Sequence, residues 1–331
     1  MLIDRLSLAL SDGDLSLPAS GSIAVLAPKA GADIGALPKE RVQIVTGFKP
    51  DFDAFSAAGY ACARQSDGTF SAALVCLPRS KAMGRALVAQ ACDLVGPNGL
   101  VMVDGQKTDG IESMLRDLRG LTVTPAVLSK AHGKIIWFKA IPLPATWQAQ
   151  GYQPVAQGFV TAAGVFSADG IDPASRLLAD ALPDKIGARV VDLGAGWGYL
   201  AAQALTRDTV KTLDLVEADH VALDCARQNV TDPRARFHWA DATTWKPETA
   251  VDAVIMNPPF HSGRAADPDI GRAFIAAAAG MLTPQGHLWM VANRHLPYEA
   301  ALVQHFTEVA EIAGDNRFKI LSAARPSRQR R

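Results

Sequence analysis

Cysteine is scarce in this chain of 331 residues, which contains only four. Cys62, Cys76, Cys92 and Cys225 are widely separated and form no CxxC pair, so the common zinc and redox motifs are excluded. No other cluster of metal-ligating residues stands out, and we expect no metal. Isolated thiols that can stay free are typical of a reducing compartment, so we expect a cytoplasmic protein.

Long hydrophobic runs are also missing. The longest apolar stretch, around Phe274–Leu282, is far shorter than the roughly 20 residues that a membrane span needs. The first residues, Met-Leu-Ile-Asp-Arg, place an acid at position 4 and no basic flank before an apolar run, so no signal peptide is expected. Hydrophobic residues nevertheless make up 49% of the chain, which is enough for a core. We therefore predict a soluble monomer with no membrane partner.

An excess of either charge is the third thing the sequence lacks. Lys and Arg number 33, Asp and Glu number 33, and neither half of the chain is strongly basic. A protein that contacts many backbone phosphates of a nucleic acid is usually strongly basic. Only the tail from Arg325 to Arg331 is a basic cluster, which we interpret as a solvated terminus.

Two regions of alternating strand-like and helix-like patterns flank a proline-punctuated stretch, residues 141–154, which we interpret as a linker. The alternation predicts an α/β fold with two tandem Rossmann-like domains, each a doubly wound and mostly parallel sheet. The predicted domains span residues 1–145 and 155–331. In the second domain, we predict four buried strands, at Arg189–Leu193, Leu213–Glu217, Ala253–Met256 and Leu288–Ala292. We predict an edge strand at Phe318–Ser322. The helical patterns between them are Tyr199–Leu205, His220–Asn229 and Ile270–Leu282.

The two halves resemble each other in sequence. Three segments of the first half match three of the second in the same order: Ala72–Pro78 with Asp252–Pro258, Gly96–Met102 with Thr283–Trp289, and Lys134–Ile136 with Lys319–Leu321. Although any two α/β domains share some strand and turn chemistry, the shared order favours an internal duplication.

A glycine-rich turn follows the first strand of the second domain. Asp192 precedes Gly194-Ala195-Gly196, and Glu217 ends the next strand. Glycines let the backbone turn sharply close to a ligand, the following helix offers free N–H groups, and an acid at this point can accept from ribose hydroxyls. These features fit NAD as well as S-adenosylmethionine, but the spacing GxGxG differs from the GxGxxG of dinucleotide sites.

A third acid, Asp241, stands where the next strand should end. It could accept from an adenine amine while the N–H of Ala242 binds a ring nitrogen, although Asp is also a common loop residue.

The more specific motif is Asn257-Pro258-Pro259-Phe260, directly after an apolar strand. Consecutive prolines stiffen this turn, the Asn257 oxygen and the Pro258 carbonyl can accept from an NH₂ group, and Phe260 can stack on a flat ring. The motif suits a planar amine.

In this order, the glycine turn, Glu217, Asp241 and Asn257-Pro-Pro-Phe-His261 resemble class I S-adenosylmethionine-dependent methyltransferases that act on exocyclic amines. More narrowly, the chain resembles the ribosomal RNA guanine-N2 methyltransferases of the RsmC type, in which only the second of two methyltransferase-like domains keeps its cofactor motifs. The resemblance extends to residues 164–172 and 291–298, and it implies that Phe166 and Asp172 lie over the cofactor. The implied cofactor residues are Phe166, Asp172, Asp192, Gly194, Ala195, Gly196, Glu217, Ala218, Asp241, Ala242 and Asn257. His261 is expected to position a group or a water rather than to act as a base.

The first half lacks the matching motifs. Its equivalent strand end, Ile23 to Lys29, has no glycine loop, and Leu77 stands where the second half has Asn257. We therefore predict a degenerate domain that recognises substrate or supports folding. Lys29, Arg79 and Lys81 are candidate phosphate contacts, although each could equally be an ordinary surface charge.

The predicted activity is methyl transfer from S-adenosylmethionine to a guanine N2 in ribosomal RNA or a ribosomal subunit, with Asn257, Pro258, Pro259 and Phe260 as the catalytic turn. Two alternatives stay open. A protein glutamine N5 methyltransferase would use a similar turn, and an S-adenosylmethionine-binding ribosome assembly factor would need no turnover.

Overall fold

The chain folds into two compact units, Met1–Gly151 and Tyr152–Arg331, in a computed structural model that describes residues 5–66, 68–121, 124–149, 151–259 and 268–327. Each unit is built around one seven-stranded sheet with helices packed against it. The predicted fold class, two tandem α/β domains with mostly parallel sheets, is confirmed.

The first unit contains seven strands in the order β3-β2-β1-β4-β5-β7-β6. The strands are β1 Ile23–Leu26, β2 Val42–Val45, β3 Ala61–Ala63, β4 Ala72–Cys76, β5 Leu100–Gln106, β6 Ala126–Lys130 and β7 Gly133–Lys139. The helices are α1 Arg5–Ser11, α2 Lys49–Ala57, α3 Lys81–Val95 and α4 Ile111–Gly120. Strands β1 to β5 are parallel, and β7 pairs antiparallel with both β5 and β6.

The second unit opens with a small hairpin and continues with a sheet in the order β12-β11-β10-β13-β14-β16-β15. The hairpin strands are β8 Tyr152–Pro154 and β9 Val160–Ala162, and the sheet strands are β10 Arg189–Leu193, β11 Thr212–Glu217, β12 Ala235–Trp239, β13 Val251–Met256, β14 Leu282–Asn293, β15 Phe306–Gly314 and β16 Phe318–Pro326. The helices are α5 Pro173–Ala181, α6 Tyr199–Leu205, α7 His220–Asn229, α8 Pro268–Met281 and α9 Tyr298–His305. This is the strand order of the first unit, which agrees with an internal duplication.

Two details differ from the sequence-based expectations. The prediction that Phe318–Ser322 forms an edge strand is wrong, because β16 lies between β14 and β15. The true edge, β15, is mostly exposed and carries few core residues, so it lacked the apolar signal on which the prediction relied. Part of the expected linker also belongs to the first unit, since Trp147 is buried in its core under Arg85.

The central strands β10 and β13 of the second unit are buried on both faces. Helices α5, α6 and α7 cover one face, and α8 and α9 cover the other. This explains their continuous Val, Leu and Ile runs, since a strand covered on both sides has no polar face. The central strand β10 pairs with β11 on one side and β13 on the other. The chain therefore reverses direction across the sheet at β10, and a crevice opens at the carboxyl ends of β10 and β13.

Asp252 joins the start of β10 to β13 through three hydrogen bonds. One carboxylate oxygen accepts from the N–H groups of Ala188 and Arg189 (3.1 and 2.9 Å), and the other accepts from the Arg189 guanidinium (3.0 Å). Burial alone would raise the pKa of Asp252, but these hydrogen bonds hold it below its ordinary value.

We predict that Asp252→Ala lowers the free energy of unfolding of the second unit by about 1–2 kcal/mol at neutral pH. A carboxylate whose pKa is depressed in the folded state stabilises above the unfolded pKa of about 3.9 and loses that effect as the pH falls through the folded pKa. The difference between wild type and variant should therefore shrink below about pH 4, as measured by denaturant unfolding followed by tryptophan fluorescence. The surface acid Asp269, which is 82% exposed in its pair with Arg272, provides the control: Asp269→Ala should change stability by less than about 1 kcal/mol.

Candidate functional site

The glycine turn that follows β10 leads directly into α6. Gly194 and Gly196 have φ angles of +79° and +55°, a region that glycine adopts without strain. The N–H groups of Gly194 and Ala195 both donate to the carbonyl of Val216 (2.9 and 3.1 Å), which holds the turn against β11. A Cβ atom on Gly196 would meet no atom within 4 Å, so this glycine borders open space. The turn thus presents bare backbone to the crevice.

Glu217, at the end of β11, accepts two backbone hydrogen bonds. One carboxylate oxygen accepts from the N–H of Gly196 and the other from the N–H of Asp219, each at 2.7 Å. Burial raises the pKa of Glu217 to about 7, even though both N–H groups favour the ionised form. The carboxylate therefore links the glycine turn to the start of the next loop, and each oxygen keeps a further lone pair for another donor.

Asp192, the last acid of β10, is completely buried. Within the described part of the chain, neither of its carboxylate oxygens has a hydrogen-bond partner. Burial raises the pKa of Asp192 to about 8, and the charge of Glu217 adds to this effect. A neutral carboxyl is consequently favoured at this position at neutral pH in the ligand-free protein.

Asp241 begins the turn that follows β12. One of its carboxylate oxygens accepts from both the N–H and the hydroxyl of Thr243 (2.8 and 2.7 Å). Ala242 is buried, and the carbonyl of Ala218 accepts from the Trp239 indole at 2.9 Å. These contacts hold the ends of β11 and β12 together at the same edge of the sheet as the glycine turn.

Asn257 follows β13 and is oriented by two side chains of α5. Its Nδ2 donates to Oδ2 of Asp172 and to Oγ of Ser175, each at 2.9 Å. Because a carboxylate can only accept, the amide nitrogen must face Asp172, and Oδ1 must point the other way. Oδ1 is buried and has no partner among the described residues. The fold thus holds a fixed, unused acceptor at the carboxyl end of the sheet.

The prolines of the turn differ in exposure, since Pro258 is buried and Pro259 is exposed. Phe260 and His261 lie outside the described residues. Asp172 performs a second task as the N-cap of α5, where it accepts from the N–H of Ser175 at 2.8 Å.

The segment before α5 lies against the glycine turn. The indole of Trp197 donates to the carbonyl of Phe166 at 3.0 Å, and the Phe166 side chain is 61% exposed. Ser167, at a φ of +51°, donates from its hydroxyl to the carbonyl of Gly170 at 2.7 Å. This segment forms one wall of a cleft whose other walls are the glycine turn and Asn257.

The cleft contains six of the residues that the sequence indicated: Phe166, Asp172, Gly194, Ala195, Gly196 and Asn257. Asp192, Glu217, Ala218, Asp241 and Ala242 lie at or next to the neighbouring strand ends rather than in its walls. Sequence reasoning gave no role to Ser167, Ser175, Trp197, Tyr199 and Leu200, which also line the cleft. The signal for Ser175 was its place three residues after an Asp-Pro helix start.

The equivalent edge of the first unit has a different chemistry. Asp51 accepts from the N–H of Ala30 at 2.8 Å, much as Glu217 accepts from Gly196, but its second oxygen pairs with the Lys29 ammonium at 3.1 Å. Lys29 also lies over the Phe48 ring, 4.7 Å from its centroid. The acid that could meet a ligand is thus neutralised from within the chain.

Leu77 occupies the position of Asn257 in the first unit and is buried in the core. Its side chain lies so close to α3 and β5 that a Cβ on Gly84 or Gly105 would come within 2.9 or 3.0 Å of it. Arg79 and Lys81, the other candidate phosphate contacts, lie 3.9 and 3.3 Å from the carboxylates of Asp109 and Asp117, respectively.

No helix in the described part of the chain is long and apolar enough to cross a membrane. The same residues include no group of three or more His, Cys, Asp or Glu side chains that could hold a metal ion.

Comparison with known proteins identifies the family. Residues 156–322 match the model of the methyltransferase small domain. The chain is 30% identical over 268 residues to ribosomal RNA small subunit methyltransferase C of Shewanella halifaxensis, covering 78% of each chain. It is 31% identical over 263 residues to the protein of that name from Shewanella piezotolerans, covering 76% of this chain and 77% of the relative.

A solved structure is similar over nearly the whole length. It is the 16S rRNA N2 G1207 methyltransferase (RsmC) of T. thermophilus in complex with AdoMet and guanosine, which is 25% identical, with a TM-score of 0.77, over 94% of this chain and 90% of that one. The resemblance drawn from the motifs is confirmed. The chain therefore belongs to the family of the ribosomal RNA small subunit methyltransferases C, and its residues 156–322 form a methyltransferase small domain.

Proposed function

We propose that this protein transfers a methyl group from S-adenosylmethionine to the exocyclic N2 amine of a guanine in small-subunit ribosomal RNA. The observation that carries this proposal is the Asn257 side chain, whose oxygen is buried, fixed in orientation and without a partner among the residues that the structure describes. The related T. thermophilus enzyme was solved with AdoMet and guanosine, and the curated relatives are named for small-subunit ribosomal RNA.

An aromatic amine attacks poorly because its lone pair is delocalised into the ring. An acceptor that binds the N–H groups as the nitrogen becomes pyramidal localises this lone pair and directs it to the methyl group. The Oδ1 of Asn257 and the carbonyl of Pro258 are the acceptors we assign to this task, and Phe260 would stack on the base. Since Asp172 and Ser175 hold the amide, the acceptor needs no reorganisation during the reaction.

When bound, S-adenosylmethionine supplies an electrophilic methyl group on a sulfonium centre. The residues at the sheet edge fit such a molecule, because they combine a bare glycine turn, acids with spare lone pairs and an exposed aromatic ring. We assign Glu217 to the ribose hydroxyls and Asp241, with the N–H of Ala242, to the adenine. The other proposed cofactor residues are Phe166, Asp172, Asp192, Gly194, Ala195, Gly196 and Ala218.

The protein needs no general base in this scheme, because the amine proton becomes acidic once the N–C bond has begun to form. Asn257 and Pro258 would hold N2 in line with the methyl group, so that the methyl could pass from sulfur to nitrogen in one displacement and the amine proton to solvent. Catalysis comes from alignment and from the preorganised acceptors. With this substrate, we place the protein in the cytoplasm and expect it to act as a monomer.

One experiment separates this proposal from its two rivals. The protein is incubated with methyl-labelled S-adenosylmethionine and with ribosomal RNA, ribosomal subunits and total protein from a strain that lacks the gene. Label in N2-methylguanine supports the proposal. Label in glutamine would establish the protein methyltransferase instead, and cofactor binding without any transfer would favour an assembly factor, for which the unpartnered Asn257 oxygen has no use.

For catalysis, we predict that Asn257→Ala lowers kcat by about 10²–10³, the cost of losing one preorganised hydrogen-bonding group. S-adenosylmethionine affinity should change only a few fold, because an interaction made mainly in the transition state affects turnover more than binding. Ser175→Ala provides a graded comparison, since it removes one of the two groups that hold the amide and leaves Asp172. It should reduce kcat by less than Asn257→Ala does. Wild-type turnover of Asn257→Ala would exclude the assigned role.

For the cofactor, we predict that Glu217→Ala weakens S-adenosylmethionine binding by about 1–3 kcal/mol in calorimetry. The pKa of Glu217 is about 7, and the ionised form is the better acceptor for ribose hydroxyls. Wild-type affinity should therefore rise between about pH 6 and pH 8, whereas the variant should lose this contribution. Glu248→Ala, at an exposed acid of the same unit, is the control and should keep both the affinity and its pH dependence. Unchanged affinity of Glu217→Ala would place the ribose elsewhere.

We further propose that the second unit is catalytic and that the first recognises substrate or supports folding. The hairpin β8–β9 belongs to the second unit. There the Asn229 side chain accepts a hydrogen bond from the N–H of Val160 (2.7 Å) and donates one to its carbonyl (2.8 Å). We predict that a fragment from Tyr152 onward folds, binds S-adenosylmethionine within a few fold of the full chain, and loses RNA methylation if the first unit recognises substrate. Calorimetry and the methylation assay measure the two effects. Cofactor binding confined to the first unit would overturn the assignment.

A further inference from the structure

A second cleft lies at the same sheet edge as the catalytic turn and is formed by two short segments. Asn293 ends β14 and is followed by Arg294 and His295, and Asn316 and Arg317 lie in the turn between β15 and β16. These five residues line the cleft. They supply two guanidinium groups, one imidazole and two amides, and none of them is acidic. Such a lining offers hydrogen-bond donors to an anion.

The strand register places this cleft beside Asn257. Strands β13 and β14 are parallel neighbours, and Met256 pairs with Met290. Asn257 therefore leaves β13 beside Val291, and Asn293 ends the neighbouring strand two residues further along, at the same edge of the sheet. The strand order puts β10, β11 and β12 on one side of β13 and β14 on the other. The cleft is thus on the side of the catalytic turn opposite the proposed cofactor residues at the ends of β10, β11 and β12.

Arg294 fixes the turn that supplies the other wall. Its guanidinium donates to the carbonyls of Asp315 (2.6 Å) and Phe318 (3.1 Å) and to the carboxylate of Glu311 (2.9 Å). Asp315 in turn accepts from the N–H groups of Arg317 and Phe318, both at 2.7 Å. Because Arg294 is already committed to these partners, its role is to hold the cleft in shape.

Arg317 is the cation that this arrangement leaves available. Its side chain is exposed, and its guanidinium carbon lies 4.9 Å from the centroid of the Phe318 ring. Over the described ranges, that guanidinium forms no ion pair and no hydrogen bond. A guanidinium that lies over an aromatic ring keeps its N–H edges available for a phosphate, which it can bind with two parallel hydrogen bonds.

We infer that this cleft binds a backbone phosphate of the RNA strand that carries the target guanine, with Arg317 as the main contact and His295 beside it. The inference rests on the proposed function, and it answers a problem posed by the composition. The chain has no net charge and neither half is strongly basic, so a few placed cations next to the reacting base would supply a phosphate contact that does not depend on a broad basic surface. The contact positions the strand and does not read its sequence.

The test compares Arg317→Ala, Arg317→Lys and wild type in binding and methylation of transcribed small-subunit ribosomal RNA at several salt concentrations. Arg317→Ala should weaken RNA binding about tenfold, as expected for one charge-assisted hydrogen-bonded contact, and raise KM with little change in kcat. The slope of log affinity against log salt should fall by about one, the value for one phosphate contact. Arg317→Lys keeps the charge and should retain the wild-type slope. S-adenosylmethionine affinity should be the same in all three proteins.

Arg236→Ala is the matched control, because Arg236 is an exposed arginine of the same unit on β12, at the far edge of the sheet. It should leave RNA affinity, KM and the salt slope unchanged. If wild type methylates RNA and Arg317→Ala keeps the wild-type RNA affinity and salt slope, the cleft does not bind phosphate. That result would overturn this inference and leave the proposed function intact. If wild type transfers no methyl group to the transcribed RNA or to ribosomal subunits, the proposed function fails first. An equal loss of RNA affinity in Arg317→Ala and Arg236→Ala would indicate general charge attraction and would also overturn the inference that the cleft binds phosphate.

Discussion

The hydrogen bond from the Asn257 amide to Asp172 is the interaction on which the geometry of the site depends. It joins the turn after β13 to the first residue of α5, and Ser175 adds a second contact from the same helix. The partner of the amide nitrogen is a carboxylate, so the amide has only one favourable orientation. As a consequence of this constraint and of burial, the oxygen of Asn257 has no partner in the part of the chain that the structure describes. A polar atom left in this state costs stability, and such costs are concentrated at functional sites.

A second constraint comes from the two acids at the ends of β10 and β11. Glu217 organises the glycine turn through the N–H of Gly196, while Asp192 lies buried nearby without a partner in the described chain. Burial raises the pKa of both groups. Because the pKa of a carboxyl with a raised value is higher in the folded state than in the unfolded state, its ionisation at neutral pH lowers the free energy of unfolding. Hydrogen-bond donors of a molecule that binds these carboxylates would offset this cost.

The two units show how one strand order can carry a site or remove it. Both sheets have the same order, and in both an acid after the second strand binds the backbone after the first. In the first unit, Lys29 neutralises that acid, and Leu77 fills the core where the second unit has Asn257. The loss of the site is therefore a matter of a few side chains at strand ends, because the strands themselves are set by their buried apolar runs.

The sequence by itself determined the α/β class, most strands and helices of the second unit, and the motif residues at its strand ends, since apolar periodicity and turn chemistry are local properties. It did not determine β15, whose exposed residues carry no apolar pattern, or the interior place of β16. Only the tertiary structure decided that Ser175 and Asp172 hold the Asn257 amide, that Glu217 binds the glycine turn, and that Arg317 lies at the same edge of the sheet as Asn257. These contacts join residues far apart in the chain, and they depend on strand order and register, which no local pattern encodes.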